Sequence, residues 1–271
     1  MKVLTCLWKV IVPCYQLELI VTMLTFGNGV RLVQSVNEIP WHLVGCHDLF
    51  LDFETSSGDP KLDSLNPWHH CYIAGACITA DSEQGSWYLP VGHTYPTANN
   101  LPWEPVYDFV SKAILNCTRW INHNVKYDAQ VASNILGLEI PDDIQLVDTI
   151  VLAKLLDSDR GYGRGTYELK SLSEDWIGED IGKYEHALTP YLKTAKGDWY
   201  NRDYGQIPID VMAEYGGQDV ITNRRLFKYI WDLIPDDCEF IRDVEIQILM
   251  FDIVYRAAPP DDMFFGSKKF C

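Results

Sequence analysis

The sequence predicts an α/β domain, with strands first and helices packed on the resulting sheet. Three observations carry this. Short apolar runs of strand length fall between residues 49 and 91. Segments with helical spacing dominate from 105 to 231. The 271 residues are 47% hydrophobic and 13% aromatic, enough for one large domain with a sizeable core. The chain carries no internal repeat and no low-complexity tract.

The elements follow in order. Leu49–Phe53 is a short apolar run ending in acids, the length of a buried strand. Cys71–Thr79 and Ser86–Val91 read as the next strands, with Asp81–Gly85 as the turn between them. Pro105–Asn116 has helical spacing, and Trp120–Asn122 is a short strand. Tyr127–Leu136 is helical and stops at Gly137, a suitable C-terminal cap. Asp148–Leu156 and Tyr167–Trp176 are two further helices. Ile209–Trp231 is a long helix that Pro208 is placed to start. Ser158–Gln206 differs, being punctuated by glycines and rich in aromatic and basic residues. Irregular, partly mobile backbone is expected there.

The formal net charge is −16. That excludes a protein that holds nucleic acid by bulk positive charge. It does not exclude a nucleic-acid enzyme, because metal-binding carboxylates are themselves negative. Residues 51–150 carry net −9, with 4 basic against 13 acidic groups. Half of all basic residues, 11 of 22, lie within 151–230. The eight cysteines show no CxxC spacing, which argues against zinc and for thiols in a reducing compartment. The seven histidines form no HxH or HxxxH set, and His69-His70 reads as surface or core filling.

Three segments carry chemistry. In Leu51-Asp52-Phe53-Glu54-Thr55, a strand would project Asp52 and Glu54 from one face. Neighbouring carboxylates repel unless a cation lies between them, and hard oxygen ligands suit Mg²⁺ or Mn²⁺. The alternative is a solvated strand end. In Asn122-His123-Asn124-Val125-Lys126-Tyr127-Asp128, a strand runs into a helix whose first turn holds Asp128, where the dipole favours a carboxylate. In Tyr215-Gly216-Gly217-Gln218-Asp219, Tyr215 and Asp219 share a helix face. A hydroxyl one turn from a metal-binding carboxylate can orient or deprotonate a water. Gly216-Gly217 inside a helix costs stability, which points to close approach of another element or a ligand.

The ordered set is far more specific than any member. It resembles the DEDD-type 3′–5′ exonucleases with a tyrosine in the last motif, above all the exonuclease domain of family A (DNA polymerase I-like) DNA polymerases. The resemblance runs from about Val30 to Trp231 and includes Asp148-Thr149 and Glu168-Leu169-Lys170-Ser171-Leu172. It implies a ribonuclease H-like fold, a mixed central sheet flanked by helices. It also implies two divalent cations, Mg²⁺ or Mn²⁺. Asp52, Glu54 and Asp219 would hold one, and Asp52 and Asp128 would hold or position the other. Tyr215 would orient the attacking water. Thr55, Asn124 and Tyr127 would contact the terminal nucleotides of single-stranded DNA. His123 stands where the polymerase I version commonly has glutamine, and 158–206 is longer and more glycine-rich than the bacterial pattern.

The implied activity is proofreading-like release of nucleoside 5′-monophosphates from DNA 3′ ends. The alternatives are ribonuclease D-like RNA trimming and a non-catalytic polymerase-associated scaffold. Retention of all four acids argues against the scaffold. The stretch Tyr162–Arg202 is a candidate stacking surface for the single strand, or else a surface insertion whose aromatics pack on the domain.

The expected organisation is an N-terminal extension at 1–29, the exonuclease domain at 30–231, and a C-terminal part at 232–271. In the last part, Val244–Ile253 looks like the opening helix of a polymerase thumb. A free-standing enzyme and a truncated polymerase both fit, as does a separate polymerase chain as partner. The longest uncharged run near the N-terminus, Leu19–Val30, spans 12 residues, too short to cross a bilayer. A cytoplasmic protein of a bacterial or phage-infected cell, neither secreted nor membrane-bound, is expected.

Overall fold

The computed structural model describes residues 23–59, 71–160, 165–201 and 203–234. His69-His70, Tyr162, Arg164, Arg202, Val244–Ile253 and most of the N-terminal extension lie outside the described residues. Seven strands form one mixed sheet among the described residues: β1 (Leu24–Thr25), β2 (Val30–Leu32), β3 (Asp48–Ser56), β4 (Tyr72–Ala80), β5 (Ser86–Pro90), β6 (Arg119–Asn122) and β7 (Gln145–Asp148). Their spatial order is β1-β2-β5-β4-β3-β6-β7. β3 pairs antiparallel with β4, and β4 with β5. β3–β6 and β6–β7 are parallel pairs, so those three strands end at the same edge.

The helices are α1 (Trp103–Leu115), α2 (Val125–Ile135), α3 (Thr149–Leu156), the short α4 (Leu169–Leu172), α5 (Gly182–Leu192) and α6 (Ile209–Leu233). They cover both faces of the sheet. Leu49, Leu51 and Phe53 of β3 pack with Val106, Phe109 and Ala113 of α1 and Val125 and Ala129 of α2. Phe50, one residue out of phase, packs on the opposite face with Val220, Ile221 and Phe227 of α6. The period-2 alternation of a strand therefore turns Asp52 and Glu54 toward α6. That long helix lies across β2, β5, β4, β3 and β6.

The structure departs from the sequence expectations in four places. β3 is longer than Leu49–Phe53 and takes in Glu54, Thr55 and Ser56, because β4 continues to pair with it through an irregularity at Glu54/Thr55. Gln145–Asp148 is a strand absent from the expectation, and Asp148 caps α3 rather than lying inside it. The third expected helix shortens to α4 followed by a π turn, Ser173–Ile177, which Gly178 ends in the left-handed conformation. The segment read as irregular contains α5, eleven residues long, whose Leu188 and Leu192 pack toward α6. Burial of those two leucines outweighs the interior Pro190 and the low helical signal around it. Gly137, at φ +67°, ends α2 as expected.

Candidate active site

The parallel strands deliver the site. In sheets of this kind ligands bind beyond the carboxyl ends of the parallel strands, and here β3, β6 and β7 end together. Asp52 lies opposite Cys77, and Glu54 opposite Gly75, on β4. Glu54 is 6% exposed. Its Oε1 has no hydrogen-bond partner among the described residues.

After Asn122 the chain turns from β6 into α2 through Asn124, a non-glycine residue at φ +72°. Asparagine tolerates this left-handed conformation better than most residues. The turn is held by Asp148, whose Oδ1 accepts from the backbone N–H of Asn124 at 3.1 Å and of Ile150 at 2.8 Å. One carboxylate thus fixes the starts of α2 and α3. Asp128, in the first turns of α2, is 1% exposed. Its Oδ1 accepts from the backbone N–H of Phe53 at 2.9 Å, which locks it against β3. The hydroxyls of Tyr127 and Thr55 are 2.7 Å apart, and Thr55 is 1% exposed.

From the other face, α6 brings Tyr215 and Asp219. Tyr215 and Asp219 stand one turn apart on the same helix face, and the Tyr215 hydroxyl stabilises the Asp219 carboxylate. Helix and strand approach closely at this point. A Cβ on Gly216 would stand 2.3 Å from Glu54 Oε1 and 2.5 Å from Cys77 Sγ, and one on Gly217 would stand 2.5 Å from Val30 Cγ1. The glycine pair is therefore a contact surface for β3, β4 and β2. Sequence reasoning saw its cost and expected such an approach.

Four carboxylates from β3, α2 and α6 are thus brought together. Burial first, and then mutual repulsion, pushes Glu54, Asp128 and Asp219 well above the usual carboxylate range. Asp52 is pushed up to about 6 by burial, with hydrogen bonds accepted from Asn122 and from Asp128 opposing the rise. The charge of Asp219 and burial drive the Tyr215 hydroxyl well above its ordinary value, so it stays protonated and is suited to donate rather than to act as a base. No group of three or more His, Cys, Asp or Glu side chains among the described residues is already drawn together around a metal position. The chemistry of the donors nevertheless fits a divalent cation. They are hard, mutually repelling oxygens, buried at Glu54 and Asp128 and half-buried at Asp52 and Asp219, and one of them, Glu54 Oε1, has no partner among the described residues.

A cleft of about 750 Å³ opens over these residues. Asp52, Glu54 and Asp128 line it beside Asn124, Tyr127 and Tyr215. Its far wall comes from the 158–206 segment, with Tyr167, Glu168 and Leu169, and from Lys154 of α3. Asp219 faces an adjoining space that shares Tyr215, Glu168 and Leu169. The exposed aromatics Trp199 and Tyr200 do not line the cleft, and Lys193 lies over the Trp199 ring at 4.4 Å. Sequence reasoning gave no role to Asn122, Asp148 or Tyr204. Asn122 and Asp148 end parallel strands; the signals available in the sequence were the place of Asn122 at the head of the second motif and of Asp148 in the Asp148-Thr149 segment of the resemblance.

The model of a family described as 3′-5′ exonuclease, and named for the exonuclease part of type A DNA polymerases, matches residues 45–235. The chain belongs to this 3′–5′ exonuclease family. It is an exonuclease, of a family that depends on divalent metal. Brucella melitensis NrnC is similar to the exonuclease at 15% identity and a TM-score of 0.52, over 84% of this chain and 91% of NrnC. NrnC with bound Mg²⁺ is similar at 15% identity and 0.50, over 88% and 97%. Trypanosoma brucei RNase D in complex with RNA U12 is similar at 13% identity and 0.54, over 89% and 76%. At these identities the likeness concerns the fold, and the fold of the exonuclease is ribonuclease H-like. No curated protein matches the chain by sequence. No helix among the described residues is long and apolar enough to cross a membrane.

Proposed function

We propose that the exonuclease removes nucleoside 5′-monophosphates from the 3′ end of single-stranded DNA with two divalent ions. The observation that carries this is the convergence of four mutually repelling carboxylates at a cleft, Glu54 and Asp128 buried, Asp52 and Asp219 half-buried, with one oxygen of Glu54 unpartnered among the described residues. Asp52, Glu54 and Asp219 would hold one ion, and Asp52 with Asp128 the other. When bound, such ions activate water and stabilise charge on the departing oxygen. Tyr215, protonated and held by Asp219, orients the attacking water by hydrogen bonding. The water oxygen bonds to phosphorus as the bond to the preceding nucleotide's 3′ oxygen breaks. The water gives up a proton to solvent, and the 3′ oxygen takes one up. Asn124, Tyr127 and Thr55 contact the terminal nucleotides. A cleft within the roughly 300–1,000 Å³ of small-ligand sites suits an unpaired end rather than a duplex.

DNA is the preferred substrate on the family's link to type A polymerases. RNA is the second reading, favoured by the fold shared with an RNase D solved with RNA. Digestion of a 5′-labelled DNA oligonucleotide beside its RNA twin separates them. A Mg²⁺- or Mn²⁺-dependent ladder shortening from the 3′ end, abolished by EDTA and faster on DNA, is expected. A faster RNA ladder would move the assignment to RNA trimming. Cleavage that survives EDTA would sink the metal-based reading.

A further inference from the structure

The catalytic roles above leave one buried polar chain unused. Asn122, 3% exposed, ends β6 between Asp52 and Asp128. Its Nδ2 donates to Asp52 Oδ1 at 2.9 Å and to Asp128 Oδ2 at 2.5 Å. Its Oδ1 accepts from Asn223 Nδ2 at 3.4 Å. Asn223 is 1% exposed and stands on α6 one turn beyond Asp219. Asn223 Oδ1 accepts from the Thr149 hydroxyl at 2.8 Å. That hydroxyl also lies 2.9 Å from Nδ1 of His123, whose Nε2–H donates to the Tyr167 carbonyl at 2.9 Å. With His123 neutral, the single Thr149 hydrogen is shared among three acceptors, the third being the Asn122 backbone carbonyl at 3.4 Å.

We propose that Asn122 is a positioning residue of the exonuclease. The two hydrogens of its amide hold Asp52 and Asp128 at the separation needed for the ion they share, and Asn223 keeps the amide turned toward them. The proposal rests on the two-ion reading above. The geometry supports it in three ways. A planar NH₂ offers two hydrogens in divergent directions, and each is taken by a different carboxylate. Like charges that would otherwise turn apart are drawn toward one point by charge-assisted hydrogen bonds. The reversed amide would set an oxygen against two carboxylates, so only one orientation is stable, and the Asn223 donor reinforces it. The network also ties β3, β6, α2 and α6 together at the site, so the last motif's helix is linked to the first two motifs through side chains rather than through the sheet alone.

The test is calorimetric titration of Mn²⁺ into metal-free wild type, Asn122→Leu and Asn223→Ala, with melting curves and with kcat and KM on single-stranded DNA. Outer partners of metal ligands typically contribute about 10–100-fold in metal affinity. For folded Asn122→Leu, Mn²⁺ affinity is expected to fall by about that factor, and kcat with it, while KM moves less than about threefold. Asn223→Ala touches neither carboxylate and is expected to lose about 3–10-fold in the same affinity. A purely structural role would lower the melting temperature without this change in affinity. Folded Asn122→Leu with Mn²⁺ affinity and kcat within about threefold of wild type overturns the proposal, as does a change in KM alone. If Asn122→Leu does not fold, Asn223→Ala decides by itself, and unchanged affinity overturns the proposal. Wild type that binds no Mn²⁺ overturns the two-ion reading and this proposal together. Wild-type binding with unaffected variants overturns this proposal alone.

Discussion

Asp52→Asn is expected to lower the cleavage rate by about 1,000-fold or more, a barrier increase of about 4 kcal/mol. The same substitution is expected to raise the melting temperature of the metal-free protein near pH 7.5. The first effect follows from the proposed role of Asp52 in holding both ions. The second follows from the sign of its titration. Its folded-state value is about 6 against an ordinary 3.8. Between those values the folded protein keeps a proton that the unfolded chain has lost. Stability contributed by this group is therefore present below pH 3.8, falls as pH rises, and is gone above about pH 6. The cost at neutral pH is at most about 3 kcal/mol. An asparagine carries no charge at any pH and keeps an acceptor for Asn122, so the cost disappears. The gain should vanish near pH 4, where both proteins carry a neutral side chain. His93 and His123, each pushed down to about 4 by burial, change stability in the opposite direction over part of this range. They are common to both proteins and cancel in the difference. Melting curves in EDTA at the two pH values, beside oligonucleotide digestion, check both effects. Full activity in the variant would remove Asp52 from the mechanism. A lower melting temperature near neutral pH would show that its charge is not a burden on the fold.

Gly216→Ala is expected to lower activity by about 100-fold, the scale of a displacement near 1 Å at a reacting centre. On an exposed helix the same change would stabilise by about 0.5–1 kcal/mol. Here the added methyl would lie 2.3 Å from Glu54 Oε1 and 2.5 Å from Cys77 Sγ, so helix and carboxylate must separate. Overpacking of this kind costs about 1–3 kcal/mol. Gly217→Ala supplies the comparison. Its methyl would meet Val30 Cγ1 at 2.5 Å and Ser86 Oγ at 3.0 Å, away from the acids. It is expected to destabilise by a similar amount, while the folded fraction cleaves at close to the wild-type rate. Equal losses of activity per folded molecule in the two variants would show that the contact with Glu54 has no special part in the site.

The sequence by itself determined the placement of the acids. A strand with alternating side chains puts Asp52 and Glu54 on one face, and a helix puts Tyr215 and Asp219 on one face. Both are properties of local geometry. The long α6, the capping glycine at 137 and the close approach at Gly216-Gly217 were legible for the same reason. Each rests on a backbone rule that acts within a few residues.

Only the tertiary structure decided the rest. β7 is four residues long and carries too little period to be distinguished from a loop; its identity comes from parallel pairing with β6. α5 forms because Leu188 and Leu192 find cover against α6, a contact made across the fold. Asn122 opens the second chemistry-bearing segment, yet local spacing assigns it no role, because an asparagine at a strand end has many ordinary uses. Its amide gains a role only where β3, α2 and α6 bring Asp52, Asp128 and Asn223 to it. Long-range convergence of this kind depends on how the sheet and helices are stacked, and local spacing along the chain does not encode it.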